Sequence, residues 1–219
     1  MTWELSEEHE MLRTSVRDFA EGEIAPHAAQ WDRDHHFPVD VVRKMGDLGL
    51  FGIVFPEEYG GAAGDFASLC VAIEELGRVD QSMGITLSAG VGLGANPIYQ
   101  FGNDEQKAQW LPDLVAGRAL GGFGLTEPDG GSDAGATKTK ARLEGDEWVL
   151  DGSKAFITNC GTEITSLTTV TARTDDGIEQ RVHPALVRKT SPIADVDGVF
   201  NAVAIKGSFA GDLMLEGRG

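Results

Sequence analysis

Between residues 124 and 140 the chain reads GLTEPDGGSDAGATKTK, and its character changes there. Glycines crowd around Thr126, Glu127, Ser132 and Asp133. Glycine lets a backbone take positive φ and lie close against a flat or bulky ligand, with N–H groups unscreened by side chains. A polar, glycine-rich run is equally the composition of a surface turn. These residues taken alone fit both readings.

Toward the N-terminus the periodicity is helical. In LSEEHEMLRTSVRDFAEGEIAP, Ser6 is placed to cap a helix with Glu7 and Glu8 in its first turn, where the helix dipole favours negative charge. Leu5, Leu12, Val16, Phe19 and Ala20 recur at helical spacing as one buried stripe, and Pro26 marks a stop or kink. PVDVVRKMGDLGLF predicts a second helix with Val41, Val42, Met45 and Leu48 inward and Gly49 near its end. DFASLCVAIEELGRVD predicts a third, and SMGITLSAGVGLGANPIYQFG a fourth. NDEQKAQWLPDLVAG predicts a short helix capped by Asn103. FPEEYGG reads as a loop.

Toward the C-terminus the period falls to two. TKTKARLEGDEWVLDGSKAFITN alternates as strands do, with LEGDEW as the turn of a hairpin, and ITSLTTVTARTDDG suits another strand. Helices followed by strands predict an α+β chain: an all-α helical domain over residues 1–118, then a β-domain over 119–219. After about residue 176 the alternation is weak, and that domain reads as truncated or divergent.

Composition narrows the function. The chain has 219 residues, 41% of them hydrophobic, and a formal net charge of -17. That charge argues against nucleic acid and anionic membrane as partners, since both call for clustered Lys and Arg. No apolar run reaches the roughly 20 residues of a membrane helix, and MTWELSEEHEML lacks the pattern of a secretory signal. Cys70 and Cys160 suit a reducing compartment, so a cytoplasmic location is expected.

Other candidate motifs have plainer explanations. GVGLGA, residues 90–95, matches the G-x-G-x-x-G/A dinucleotide pattern. No strand follows at the distance that motif needs, so a flexible or tightly packed helical segment is expected. His35 and His36 are adjacent and cannot easily face one metal together, and no metal is assigned. Ser132 lacks a nucleophile elbow, so hydrogen bonding suits it better. KTKARLEGDE reads as a solvated hairpin face.

GLTEPDGGSDAGA resembles the signature of the acyl-CoA dehydrogenase family through Gly124, Leu125, Thr126, Glu127, Gly131, Ser132 and Asp133. LDGSKAFITN, residues 150–159, resembles the family's second flavin-contacting segment. FPEEYGG and the opening helix resemble its N-terminal helical domain, and the resemblance runs from about residue 3 to about residue 176. It implies a helical domain followed by an incomplete antiparallel β-barrel-like middle domain. FAD is implied as cofactor and acyl-CoA as substrate. Phe123, Leu125 and Thr126 would line the flavin. Phe156, where many members have Trp, would pack on the isoalloxazine face, Thr158 would bond near its reactive edge, and Ser132 would bond the acyl-CoA.

The implied reaction is α,β-desaturation of a thioester. A carboxylate takes the α-proton, the β-hydrogen leaves as hydride to the flavin, and an electron-transferring flavoprotein reoxidises it. Full-length relatives are expected to be homo-oligomers. The family's catalytic Glu belongs to a C-terminal helical domain, and nothing after residue 200 reads as a long amphipathic helix. No catalytic residue is therefore assigned, and Glu127 has no base role in the pattern. The expected function is an FAD-dependent acyl-CoA dehydrogenase in a truncated form lacking the base. Alternatives are a non-catalytic partner subunit contributing half a flavin site, or an acyl-CoA oxidase-like flavoprotein.

Overall fold

The computed structural model describes residues 4–144, 147–174 and 210–215. Helix α1 (Glu7–Phe19) starts at Ser6, whose hydroxyl accepts from the His9 N–H while the His9 ring faces the Ser6 N–H in return. A π-helical turn, Ala20–Ile24, carries the chain to Pro26. A short helix α2 (Ala28–Asp34) follows, then α3 (Val39–Asp47). Helix α4 (Phe66–Val79) and helix α5 (Gln81–Ala89) meet at Asp80, whose carboxylate caps α5 through the N–H and hydroxyl of Ser82. After a second π-helical turn, Gly90–Ala95, come α6 (Asn96–Phe101) and α7 (Asp104–Val115). Asn103 caps α7 and shares a reciprocal pair of bonds with Gln106.

The apolar stripes point where their spacing says. Val16, Ala20, Val41, Val42 and Met45 are buried in one cluster with Leu76, Leu87, Ile98 and Leu111. Full burial of one such aliphatic side chain stabilises by about 1.5–3 kcal/mol. Leu48 departs from expectation and is 46% exposed. It sits at the C-cap of α3, just before Gly49 turns the chain at φ 74, so it has left the helix face its spacing assigns. Helix α2 was not expected, because none of its residues is buried and no side chain caps it. The expected fourth helix is three segments, α5, the π-helical turn and α6.

Strands follow: β1 (Leu120–Gly124), β2 (Lys140–Glu144), β3 (Glu147–Thr158), β4 (Thr165–Val170) and β5 (Ala210–Leu215). The hairpin β2–β3 is antiparallel, with Lys140 opposite Asp151 and Glu144 opposite Glu147, and β5 adds antiparallel to the other edge of β3. β5 lies in the part where alternation is weak. One pairing is of the other kind: β1 and β4 run parallel, Gly121 opposite Leu167 and Gly124 opposite Val170. The described strands form a sheet of two and a sheet of three, an open arrangement.

The two halves are fused through the helical core. Leu120, Ile164 and Leu167 from β1, β4 and the turn before it are buried in the same cluster as Val91, Ala95 and Leu111. GVGLGA makes that contact possible. A Cβ on Gly94 would stand 2.7 Å from the Gly121 carbonyl oxygen, and one on Gly121 would stand 2.8 Å from Gly94 Cα. These glycines bring helix and strand backbones into direct contact, so of the two alternatives, flexible or tightly packed, the segment is the packed one. Cys70 is exposed and Cys160 buried, and both are free thiols. No helix of the described residues is long and apolar enough to cross a membrane.

Candidate functional site

The two signature stretches meet at one end of the sheets. Side chains alternate along β1, so Gly122 and Gly124 share one face and Phe123 and Leu125 the other. The glycine face is pressed onto β3. A Cβ on Gly122 would lie 2.9 Å from Ile157 Cγ2, and one on Gly124 would lie 3.2 Å from Lys154 Cγ. The Ala155 N–H donates to the Thr126 carbonyl at 2.8 Å, joining the exit of β1 to the end of β3. Phe123, Leu125 and Thr126 are left half-buried on the outer side.

The end of β3 is irregular. Lys154 pairs with Leu213 and Ile157 with Gly211, so three steps on β3 match two on β5. The extra residue makes a bulge, a device that re-aims a side chain. Phe156 sits in it with φ 59, and its ring is 57% exposed. A left-handed backbone costs an L-residue other than Gly about 1–2 kcal/mol, and a bulky one adopts it rarely. Thr158, two residues on, is half-buried, and Asn159 also takes φ 64. Asn159 is fully buried and donates from Nδ2 to the Thr86 carbonyl at 3.0 Å, so the strand end is tied to α5.

Between β1 and β2 the glycine-rich arc hangs outward, with Ser132 and Asp133 exposed on it. It opens with a tight turn in which Glu127 and Gly130 exchange backbone bonds of 2.8 and 3.1 Å. Its base is Glu127, which is buried. Glu127 Oε2 accepts from the Lys138 N–H at 2.6 Å, and Oε1 accepts from the Thr139 N–H at 2.9 Å and from Lys154 Nζ at 2.8 Å. Burial alone would raise this carboxyl, but the Lys154 ammonium and the two backbone N–H groups outweigh it and hold it at about 2. Glu127 is thus a fixed anion, unsuited to taking and giving a proton near neutrality.

Lys154 carries no signal in the sequence reading, yet it is the most deeply buried charge at the site, 0% exposed. Its ammonium donates to the Leu125 carbonyl at 3.0 Å, to Glu127 at 2.8 Å and to Thr171 Oγ1 at 3.1 Å. One clue was available: in an alternating strand Lys154 has the parity of Leu150, which packs against the smaller buried cluster with Ile157, Cys160 and Val170. The structure therefore brings Phe123, Leu125, Thr126, Phe156 and Thr158 to one strand-end region, and sets Ser132 out on the exposed arc.

Comparison with known proteins identifies the two halves of the chain. Residues 6–118 match the family described as acyl-CoA dehydrogenase, N-terminal domain, and residues 122–217 match acyl-CoA dehydrogenase, middle domain. The second match carries the likeness well past residue 176. The chain is 45% identical over 217 residues to the probable acyl-CoA dehydrogenase YngJ of Bacillus subtilis, covering 99% of this chain and 57% of that protein. It is 42% identical over 214 residues to the human mitochondrial short-chain specific acyl-CoA dehydrogenase, covering 97% of this chain and 52% of that one.

Among solved structures, a chain from a study of the electron transferring flavoprotein of Acidaminococcus fermentans superposes with TM-score 0.87 at 40% identity, covering 99% of this chain and 57% of its own length. A glutaryl-CoA dehydrogenase from Mycobacterium smegmatis, solved in complex with FADH2, superposes with TM-score 0.86 at 31% identity, covering 97% and 53%. The chain spans about half the length of these relatives. It belongs to the acyl-CoA dehydrogenase family.

Proposed function

We propose that this chain carries one wall of the FAD site of an acyl-CoA dehydrogenase acting by α,β-desaturation of acyl-CoA thioesters, with residues 1–118 as its helical domain and 119–219 as its middle β-domain. The observation that carries the reading is Phe156: a large aromatic, exposed, in a left-handed bulge, beside Thr158 and the Phe123–Thr126 strand exit. Strain of this kind persists where the surroundings over-determine it, and such places cluster at ligand sites.

The residues fit a flavin. Phe156 offers a flat apolar face for an isoalloxazine ring. Thr158 offers a hydroxyl next to that ring, and Phe123, Leu125 and Thr126 a half-apolar wall with one hydroxyl. Ser132, exposed on the outer arc, is the residue proposed to bond the acyl-CoA. When bound, FAD supplies the acceptor for the hydride that leaves the β-carbon. This chain's residues hold, orient and desolvate. The carboxylate that takes the α-proton is assigned to none of the described residues, and Glu127 is excluded by its ion pair. Likeness to the Acidaminococcus chain supports an electron-transferring flavoprotein as the oxidising partner.

The test is FAD titration of the protein carrying this chain, followed by the change in flavin absorption. Thr158→Ala should weaken FAD by about tenfold, the loss of one well-placed hydrogen bond. Ser132→Ala should leave FAD affinity in place and raise the KM for acyl-CoA. Unchanged FAD affinity in both Phe156→Ala and Thr158→Ala would sink the reading.

A further inference from the structure

A buried ion pair stands behind the proposed flavin wall without facing it. The Lys154 ammonium donates to three acceptors on two segments: Leu125 O and Glu127 Oε1 where β1 runs into the arc, and Thr171 Oγ1 at the exit of β4. Glu127 uses its other contacts on Lys138 and Thr139, the residues at which the arc returns to β2. Both ends of the arc are thus fastened to one carboxylate, and that carboxylate to one ammonium. Thr171 also donates its N–H to the Gly124 carbonyl at 3.1 Å, so β4's exit closes on the same point.

A buried pair of this kind is often matched or bettered in stability by apolar residues of the same volume. An apolar pair could fill the space, but it could not hold the Leu125 carbonyl and the Lys138 and Thr139 N–H groups at fixed positions. What the charges add is location.

We propose that Glu127 and Lys154 are a positioning pair that fixes the Leu125–Thr139 segment, and so sets Leu125 and Thr126 against the flavin and Ser132 toward the acyl-CoA. The functional half of this rests on the flavin reading above. The pair touches neither ligand; it acts through the backbone it holds.

The experiment compares the full chain with its Lys154→Met variant by segment-resolved hydrogen exchange without ligand, and by FAD titration of the same samples. Exchange across residues 125–139 should quicken by at least about tenfold in the variant, a local opening, while α1 and α4 keep wild-type rates. FAD affinity should fall by about tenfold or more, the scale of lost charge-assisted bonds. Should Lys154→Met leave Glu127 too costly to bury and fail to fold, the double variant Glu127→Gln with Lys154→Met removes both charges and serves the same comparison. Equal protection of residues 125–139 in wild type and variant overturns the proposal, whatever the flavin result. So does a uniform rise in exchange over helices and strands alike, which marks a purely structural role. A wild type that takes up no FAD, with the arc still opened by the variant, overturns the flavin reading and leaves the positioning of the arc standing.

Discussion

Glu75 in the helical half and Glu127 in the strand half are both buried carboxylates, and the two are handled differently. In the helical half, Glu75 of α4 is 2% exposed and faces arginines whose side chains reach water. Arg17 of α1 grips it with bonds of 2.9 and 2.7 Å, and Arg78 adds one of 3.2 Å. Arg17 first, and then Arg78, lowers this carboxyl against the opposing pull of burial. In the strand half, Glu127 is bound by two backbone N–H groups and one lysine that never reaches water. Glu75 staples helix to helix with long, solvated side chains. Glu127 fixes backbone. The first arrangement tolerates small shifts, and the second sets a loop in one place, which is what a ligand wall requires.

The contrast breaks hardest at Glu127. Removing it strands the Lys154 ammonium in a site closed to bulk solvent, and Glu127→Ala should cost about 3–5 kcal/mol of stability by urea unfolding. The same site has a pH signature. The folded-state carboxyl sits at about 2 against an ordinary 4.5, so its contribution is fully present above 4.5 and is lost as pH falls toward 2. Asp65, held at about 2 chiefly by the Ser68 N–H and by His9, titrates in the same window. The wild-type slope below pH 4.5 therefore combines these two groups with Glu75, whose carboxyl is also lowered, and Glu127→Gln should remove only part of it. A Glu127→Gln chain with the full wild-type slope would contradict the assignment.

The seam between the halves gives the next largest effect. Gly94→Ala drives a methyl to 2.7 Å from a backbone oxygen of β1 that cannot swing away. Overpacking of this sort costs about 1–3 kcal/mol. Gly92, in the same π-helical turn, has nothing within 4 Å of its would-be Cβ. Gly92→Ala should be neutral or stabilise by up to about 1 kcal/mol through the unfolded chain. Similar losses at both positions would mean that the turn, rather than the contact with Gly121, sets the requirement.

At Glu75 a smaller loss is expected. Glu75→Gln keeps the shape and one acceptor, and the arginines it releases can turn to water, so about 1–2 kcal/mol is the scale. A loss equal to that of Glu127→Ala would erase the distinction between the two carboxylates.

The same difference explains what could be read from the sequence. Helix caps at Ser6 and Asn103 and the stripes through Val16 and Met45 are local: each is set by residues three or four apart. Phe156 and Thr158 stand out only through resemblance to the family's second flavin-contacting segment, not through local spacing. What stayed hidden depends on partners far along the chain. Lys154 looks like any strand lysine until Glu127, 27 residues earlier, is brought beside it. The bulge at Phe156 exists only against β5, whose own alternation is weak. The parallel pairing of β1 with β4 is likewise set by their shared burial against the helices through Leu120 and Leu167.

The smallest expected change in stability is at Phe156, and it separates strain from packing. The ring is 57% exposed, so losing it forfeits little buried surface. Its φ of 59 is a conformation that glycine reaches without penalty. Phe156→Gly relieves about 1–2 kcal/mol of backbone strain. Glycine's freer unfolded chain takes back about 0.5–1 kcal/mol of that. The net should lie between no change and a gain of about 1.5 kcal/mol in urea unfolding without ligand. FAD affinity should move the other way, since the flat face that would pack on the ring is gone. A gain in stability together with a loss of FAD binding identifies the strained bulge as serving the ligand. A clear loss of stability would instead make Phe156 a packing residue, and the left-handed turn would then be held by contacts in the unliganded chain.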